Sequence, residues 1–505
     1  MQGREIELKL GLDPADMARL RRKPVLAAGR FGKPQTRRLR SVYYDTPAMD
    51  LAAAGISLRI RHSAGSKVLT VKTTGQRVAG MFDRGEWERP VETDHLDMEL
   101  LREAGLDPLR DEALVARLQP VFTTEFRRTV YHLSEEAWEV EVALDVGEVV
   151  ASATARRPIC EAEIELVRGD PRRLFALARD FTAAVPARLM TVGKSDIGYE
   201  LAAGHSPKPV KSRRVDLNSD MPVAEAFQAI ARGCLEHLLA NERSLLLNHD
   251  GEAVHQMRVA LRRLRSALKL FRPILGGTHL AEVRADIRWL LEHLGPARDA
   301  DVLLSSIVEP VAAERRGDPA ISALRSRWQA ERDAKLVAAE AAVADRRFTT
   351  LVLGLGAWVE AGDWLTSAGP HHGPVAPFAE AVLRKSDRKL LRAGARRLDE
   401  LPPEQLHQVR ILGKQLRYAA DFFASLHRRK VAASFAAVLS TLQDVLGVIN
   451  DIAVAEAKLA ALPGDGDQAW AAGLLAGWHQ SRRRDLLTQA AKAWKDYRKA
   501  DRPWK

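Results

Sequence analysis

The sequence predicts an α+β multidomain protein: an eight-stranded antiparallel β tunnel, or barrel, followed by an all-α domain of duplicated helical bundles. Three observations predict it. Over the first 200 residues, short segments alternate polar and apolar residues or cluster β-branched and aromatic ones, which is the two-residue period of strands. From about residue 220 onward Leu, Ala, Arg and Glu recur with helical periodicity and strand signals are few. Within that second part, two pairs of segments repeat at one common offset. At 505 residues and 55.9 kDa the chain is also too long for one ordinary core, so two or more domains are expected.

Strands are expected at 4–10, 37–45, 56–62, 67–74, 82–90, 121–133, 138–146 and 160–167, with helices at 13–23, 94–119 and 170–185. GHSPKPVKSRR at 204–214, with its prolines, glycine and charges, reads as a linker between a domain at 1–203 and a helical domain at 215–505. Roughly ten helices fill that second domain. HQMRVALRRLRSALKLF from His255 and HQVRILGKQLRYAADFF from His407 lie 152 residues apart, and so do LGPARDADV from Leu294 and LGVINDIAV from Leu446. Two segments sharing one offset indicate a duplicated unit, about 220–370 and 375–505, with pseudo-two-fold symmetry.

Charge separates the two parts. Residues 1–200 hold 31 Lys/Arg and 31 Asp/Glu, and residues 201–505 hold 46 and 35, so the net charge of +11 arises in the helical part. Excess positive charge there favours a polyanionic partner. Aromatic residues are only 6% of the chain, which leaves few stacking platforms and disfavours specific nucleic-acid binding. No stretch approaches 18 uninterrupted apolar residues, so no membrane association is expected. MQGREIELKL lacks a secretory pattern and two cysteines make no disulfide framework, so a cytoplasmic location is expected. Neither Cys160, opening a strand, nor Cys234, in an apolar helix, reads as catalytic. Walker A, HExxH and paired CxxC motifs are absent.

On the first strand Glu5, Glu7 and Lys9 share one face, and Ile6, Leu8 and Leu10 share the other. One such strand is an ordinary solvated sheet face. The pattern recurs, however, in SLRIR (Arg59, Arg61), LTVK (Lys72), DRGEWER (Arg84, Glu86, Glu88), WEVEV (Glu139, Glu141) and CEAEIEL (Glu161, Glu163, Glu165). If the strands close with these faces inward, the lumen holds carboxylates beside guanidinium and ammonium groups. Carboxylates make sense next to phosphate as ligands of hard cations such as Mg²⁺ or Mn²⁺. Fixed cations clamping the remaining phosphate charge complete what metal-assisted phosphoanhydride hydrolysis needs.

The ExExK strand, RRLRSVYYDTP at 37–47, GISLRIR at 55–61, LTVK at 69–72, WEVEVALDVGE at 138–148 and PICEAEIEL at 158–166 resemble the CYTH family of triphosphate tunnel metalloenzymes over residues 1–200. The resemblance implies an eight-stranded tunnel that cleaves a triphosphate with divalent metal, inorganic triphosphate being the substrate of members of similar architecture. It implies that Glu5 and Glu7 hold metal with Glu163 and Glu165, Glu161 being their neighbour. Lys9, Arg59, Arg61, Lys72, Arg84 and Arg128 would bind phosphate, joined by Arg38 and Arg40 if their side of the strand faces the lumen. Glu141 and Asp145 would order the attacking water or balance the cations. Lys194, in TVGKSDIGYEL, lacks the arginine the family often has before its Gly-Tyr pair, and is open to a catalytic role or a surface one.

In the helical part His255, Arg258, Arg262, Arg265 and Lys269 fall on one helical stripe, reproduced by His407, Arg410, Lys414 and Arg417. Like charges at i,i+4 repel by a few tenths of a kcal/mol per pair, roughly, and a bound anion would offset that. Asp299 and Asp451 also correspond, as partners for stripe cations or as helix caps. In the second copy Gly413, Gln415 and Asn450 replace Leu261, Arg263 and Arg298, which predicts weaker binding there. The HxxR…R helix and the LGxxxD segment, each present twice, resemble the CHAD family over residues 215–505, and the resemblance implies two pseudo-symmetric bundles that bind inorganic polyphosphate along a basic groove; such binding could concentrate substrate or locate the protein on polyphosphate granules. Two alternatives stay open: a non-catalytic polyphosphate-binding protein, and a triphosphatase acting on thiamine or nucleoside triphosphates. Oligomeric state is not legible.

Overall fold

Strands form wherever the alternation is strongest: β1 (Gly3–Gly11), β2 (Arg30–Asp45), β3 (Ile56–Ser63), β4 (Ser66–Thr73), the short β5 (Gln76–Val78), β6 (Met81–Val91), β7 (Gln119–Glu135), β8 (Trp138–Val150), β9 (Arg156–Arg168) and the two-residue β10 (Arg188–Leu189). The computed structural model describes residues 3–504 apart from 278, 367–370, 395–396 and 463–465, so the expected end of the first repeat at 370 lies outside the described residues. All eight long strands pair antiparallel in the order β1-β9-β8-β7-β2-β3-β4-β6, and β6 returns to β1. The barrel is therefore closed, and it has eight strands. β2 begins seven residues before the expected Arg37, and residues 94–119 hold three short helical turns instead of one long helix.

This barrel is inverted relative to a soluble core. Inward positions are charged, and the apolar side of each strand faces out, where other segments cover it. Leu58, Ile60, Leu69, Val71 and Trp87 on β3, β4 and β6 pack under Leu101, Leu109 and Val115 of the 98–115 segment. Each fully buried aliphatic side chain there contributes about 1.5–3 kcal/mol. Asp45 holds the connection after β2: its carboxylate accepts the backbone N–H of Thr46, Leu51 and Ala52, which fixes the short helix Asp50–Ala53.

The chain divides into two compact units, Met1–Lys208 with Ala344–Ala361, and Pro209–Val343 with Gly362–Lys505. The first break falls inside the expected linker. The second is not what the sequence pattern suggests: helix Arg346–Ala361, which by sequence belongs to the helical half, packs with the barrel unit, against the helix Arg173–Ala184. Gly356 permits the approach, because a Cβ there would meet the Phe175 ring at 2.6 Å and Ala79 at 2.9 Å.

The second unit is all helix, and its halves mirror one another at the 152-residue offset. Helices Val223–Ala240 and Val375–Ala393 begin at equivalent positions, as do Gly251–Leu270 and Pro403–Phe422. At the junction the hydrogen bonds are reciprocal: Val223 N–H donates to the Gly373 carbonyl (2.9 Å) and Val375 N–H to the Met221 carbonyl (2.8 Å). Pro222 bridges Pro374, and Phe271 meets its equivalent Phe423 at 6.0 Å between ring centroids. A residue that contacts its own equivalent lies on a two-fold axis, so the duplication is a symmetry of the packing. The helix Arg429–Ala460 is long and apolar enough to cross a membrane by length and composition, at a mean hydropathy of 1.6. It buries Phe435, Leu439, Leu442 and Leu446, and its later residues Ile452, Ala455 and Leu459 join a core with Trp328, Leu475 and Leu486.

Candidate functional site

The period of two puts Glu5, Glu7 and Lys9 of β1 inside the barrel, and register carries that face around the sheet. Glu7 lies opposite Glu165, Lys9 opposite Glu163, and Glu163 and Glu161 opposite Ala143 and Asp145 of β8. Arg128 on β7 faces Asp145. Glu5, Lys9, Arg128, Glu163 and Glu165, together with Arg59, Arg61, Thr70, Lys72, Arg84, Glu86, Glu88, Glu141 and Lys194, line a lumen cavity of about 210 Å³.

Most of the buried charge is paired. Lys72 Nζ lies 2.6 Å from Glu5 and 2.9 Å from Glu86, and Arg84 reaches Glu5 at 2.7 Å and Glu7 at 2.6 Å. Lys9 contacts Glu7 at 2.9 Å and also Glu163. Burial alone would push the Glu5 carboxyl up, yet Lys72, Arg84 and Lys9 hold it well below the usual carboxylate range. Glu163 is likewise held down, against its burial, by Lys194, Lys9 and Arg128.

Glu165 is the exception. Among the described residues it has no ion-pair partner, and burial together with Glu5, Glu7 and Glu141 pushes its carboxyl up to about 8. A carboxylate facing others without a protein cation is the arrangement a divalent cation relieves, so Glu165 fits a hard metal ion, with Glu5 and Glu7 as further ligands once they exchange Lys72, Arg84 and Lys9 for it. Asp145, Glu161 and Glu163 also bring ligand atoms within 4.8 Å of one another. There, however, Lys194 Nζ already sits 2.7 Å from Asp145 and 2.9 Å from Glu163, and it contacts Glu161 too. Coulomb attraction from these acids outweighs burial and raises the Lys194 ammonium well above the usual lysine value, so it stays charged and takes the place of a cation. The surface alternative for Lys194 is corrected: it opens the helix Lys194–Ala202 and points into the lumen. Asp145, fully buried, balances Lys194 and Arg128, the latter at 2.8 and 2.6 Å.

Arg38 and Arg40 are a second correction. Lumen-lining Tyr43 fixes the inward side of β2 at Tyr43, Ser41, Leu39 and Arg37, so Arg38 and Arg40 point outward; Arg40 pairs with exposed Glu125 at 3.0 Å. Two adjacent tyrosines and three near-adjacent arginines hid that parity. Sequence reasoning also gave no role to Tyr43, whose hydroxyl accepts from Arg59 at 3.3 Å while its ring stacks on Phe122 at 4.4 Å. Burial pushes the Cys234 thiol up to about 11, in keeping with an inert thiol.

In the helical unit the two stripes converge. Arg262 of the first acts electrostatically on Arg410 and Lys414 of the second, and Lys269 Nζ donates to Gln415 at 2.9 Å. Asp299 and Asp451 serve equivalent cations, Arg258 at 3.4 Å and Arg410 at 3.9 Å. They are too few to neutralise the face. Burial and neighbouring Arg410 and Arg262 lower Lys414 to about 8, and burial with Arg262 nearby lowers Arg258 to about 10. Burial and Arg298 bring His255 to about 4, so it is neutral at pH 7 and counts as a hydrogen-bonding group, not a cation. Its equivalent His407 makes a 2.8 Å hydrogen bond to Asn450, the residue that replaces Arg298.

Comparison with known proteins agrees with both halves. Residues 3–194 match the CYTH domain and residues 229–460 the CHAD domain. An inorganic triphosphatase of Haemophilus influenzae is 35% identical over 204 residues, 39% of this chain and 55% of that protein, so the match spans about half of that relative's length. An uncharacterised protein of Mycobacterium tuberculosis is 28% identical over 427 residues, 78% of each chain. The crystal structure of the CHAD domain from the plant Ricinus communis is 33% identical and covers 59% of this chain and 98% of that one, with a TM-score of 0.51. The chain belongs to the proteins that fuse a CYTH domain to a CHAD domain.

Proposed function

We propose that the barrel unit hydrolyses inorganic triphosphate to pyrophosphate and orthophosphate with Mg²⁺ or Mn²⁺, and that the helical unit binds inorganic polyphosphate. The observation that carries the first part is a closed lumen lined by seven cations, six of them ion-paired with acids, in which Glu165, among the described residues, has no ion-pair partner. The similarity to the Haemophilus inorganic triphosphatase supports the choice of substrate.

Arg59, Arg61, Lys72, Arg84 and Arg128 would bind the phosphate oxygens, with Lys9 beside them. Arg59 is the best placed, because its Nε is buried without a hydrogen-bond partner and needs an acceptor. Glu165 would hold the cation with Glu5 and Glu7, whose partners Lys72 and Arg84 would turn to the phosphate, while Lys194 stays with Glu161 and Glu163. When bound, the cation polarises the phosphoanhydride and acidifies water. Water oxygen bonds to the terminal phosphorus, the bridging oxygen departs with pyrophosphate, and the displaced proton passes to Glu141. That carboxylate faces the lumen, and its nearest basic neighbour is His132 at 4.0 Å. Asp145, fully committed to Arg128 and Lys194, keeps those cations in place. Preorganised cations at a site where phosphate charge develops need no reorganisation during the reaction.

The test is phosphate release from inorganic triphosphate, thiamine triphosphate and ATP, each with either metal. Inorganic triphosphate is expected to be turned over fastest; preference for an organic triphosphate would reassign the substrate, and no release from any would leave a binding protein.

A further inference from the structure

We propose a second anion site on the outer wall of the barrel, centred on Arg38 and Arg127, that holds an extended inorganic polyphosphate chain. It lies apart from the lumen and belongs to a different unit from the helical stripes, so it goes beyond the function proposed above.

On the outward side of β2 and β7, Arg38 and Arg127 stand directly opposite each other. Both are exposed, and among the described residues neither has a carboxylate partner. Like charges directly opposite across a sheet are destabilising, so the pair is a feature that folding alone does not favour. Its neighbours do find acids: Arg40 pairs with Glu125 at 3.0 Å, Arg156 with Glu148, and Lys67 with Asp94 at 3.2 Å. The pair therefore carries the unbalanced charge of the patch.

These residues, Asp94 apart, surround an open cavity of about 800 Å³ bounded by the β3–β4 turn at Ser63–Ser66 and the start of β9. From Lys67 to Arg156 the row crosses from β4 to β9, roughly 24 Å at the usual inter-strand spacing of about 4.8 Å. A row that long suits an extended chain better than a compact triphosphate. Among the described lining residues the outward ring is the single His62 imidazole, held by Asp94 at 3.0 Å, and Phe126 lies on the lumen side of β7, so a nucleic acid would find phosphate contacts and little stacking. A polymer of phosphate alone loses nothing by that.

The test uses the full chain, long-chain polyphosphate and single-stranded RNA, with affinity measured across a salt series. Arg38→Gln/Arg127→Gln should weaken polyphosphate binding about tenfold at low salt. It should also reduce the slope of log affinity on log salt by about 1.4–1.8, the value for two lost phosphate contacts. Arg38→Lys/Arg127→Lys should keep most of both. The same comparison in an Arg262→Gln/Lys414→Gln background isolates the outer wall from the helical stripes. If those two substitutions alone cause no loss, the helical reading fails while this one stands. Unchanged affinity and slope in both backgrounds would overturn the outer-wall site, and an equal loss for RNA would overturn its assignment to polyphosphate. Arg127→Gln alone, an exposed single substitution, tests the same site should the double variant fold poorly: a smaller loss in affinity and slope supports it, and no change in either overturns it.

Discussion

Glu165 shows how a single residue registers the chemistry of the lumen. Its carboxyl is raised from 4.5 to about 8, so between those values the folded protein holds a proton that the unfolded chain has released. Stability of metal-free protein should therefore fall as pH rises from about 4.5 towards 8. Thermal melts in chelator should show that decline, Glu165→Gln should flatten it, and added Mg²⁺ or Mn²⁺ should stabilise wild type more than the variant. Lys194 makes the opposite kind of prediction. Lys194→Met would leave Asp145, Glu161 and Glu163 short of a buried countercharge, a loss of about 3–5 kcal/mol for a broken buried pair. Denaturant unfolding would read that cost, and a midpoint equal to wild type would contradict the pairing.

At the scale of elements, the strands were legible because half of each strand is charged and half apolar, as in Glu5-Ile6-Glu7-Leu8-Lys9. Parity was legible only where the alternation is clean. In Arg37-Arg38-Leu39-Arg40 it is not, and only pairing with β7 shows which arginines face out. Lys194 was ambiguous for another reason: it sits at the start of a helix, outside the strand pattern, and its partners are contributed by β8 and β9. Helix Arg346–Ala361 was visible as a helix but not as part of the barrel unit, because an apolar stretch such as LVLGLGAWV does not declare which surface it covers. A fragment ending at residue 208 should thus expose the apolar face of Arg173–Ala184. It is expected to melt below the full chain's barrel transition, and a peptide of residues 344–361 should restore part of the difference. Gly356→Val should cost about 1–3 kcal/mol by overpacking Phe175 and Ala79.

Across the whole molecule, charge is used in two ways. The barrel part is balanced in number and keeps its charges buried and opposed; the helical part has 46 basic against 35 acidic residues and brings its cations together without neutralising them. The repeat predicted pseudo-two-fold symmetry, and the reciprocal bonds at Val223 and Val375 have it. Because Lys414 titrates near 8, its charge is present below that value and lost above it. Polyphosphate affinity should fall between pH 7 and 9, and Lys414→Arg should remove that fall, since guanidinium stays protonated. The most direct measurement on the barrel is phosphate release from inorganic triphosphate with Mn²⁺ or Mg²⁺, wild type against Glu7→Gln, both checked for folding. The lumen assignment predicts metal-dependent release that drops at least about a hundredfold in the variant, the scale of losing a preorganised electrostatic group. Equal rates in the two proteins would place the chemistry elsewhere.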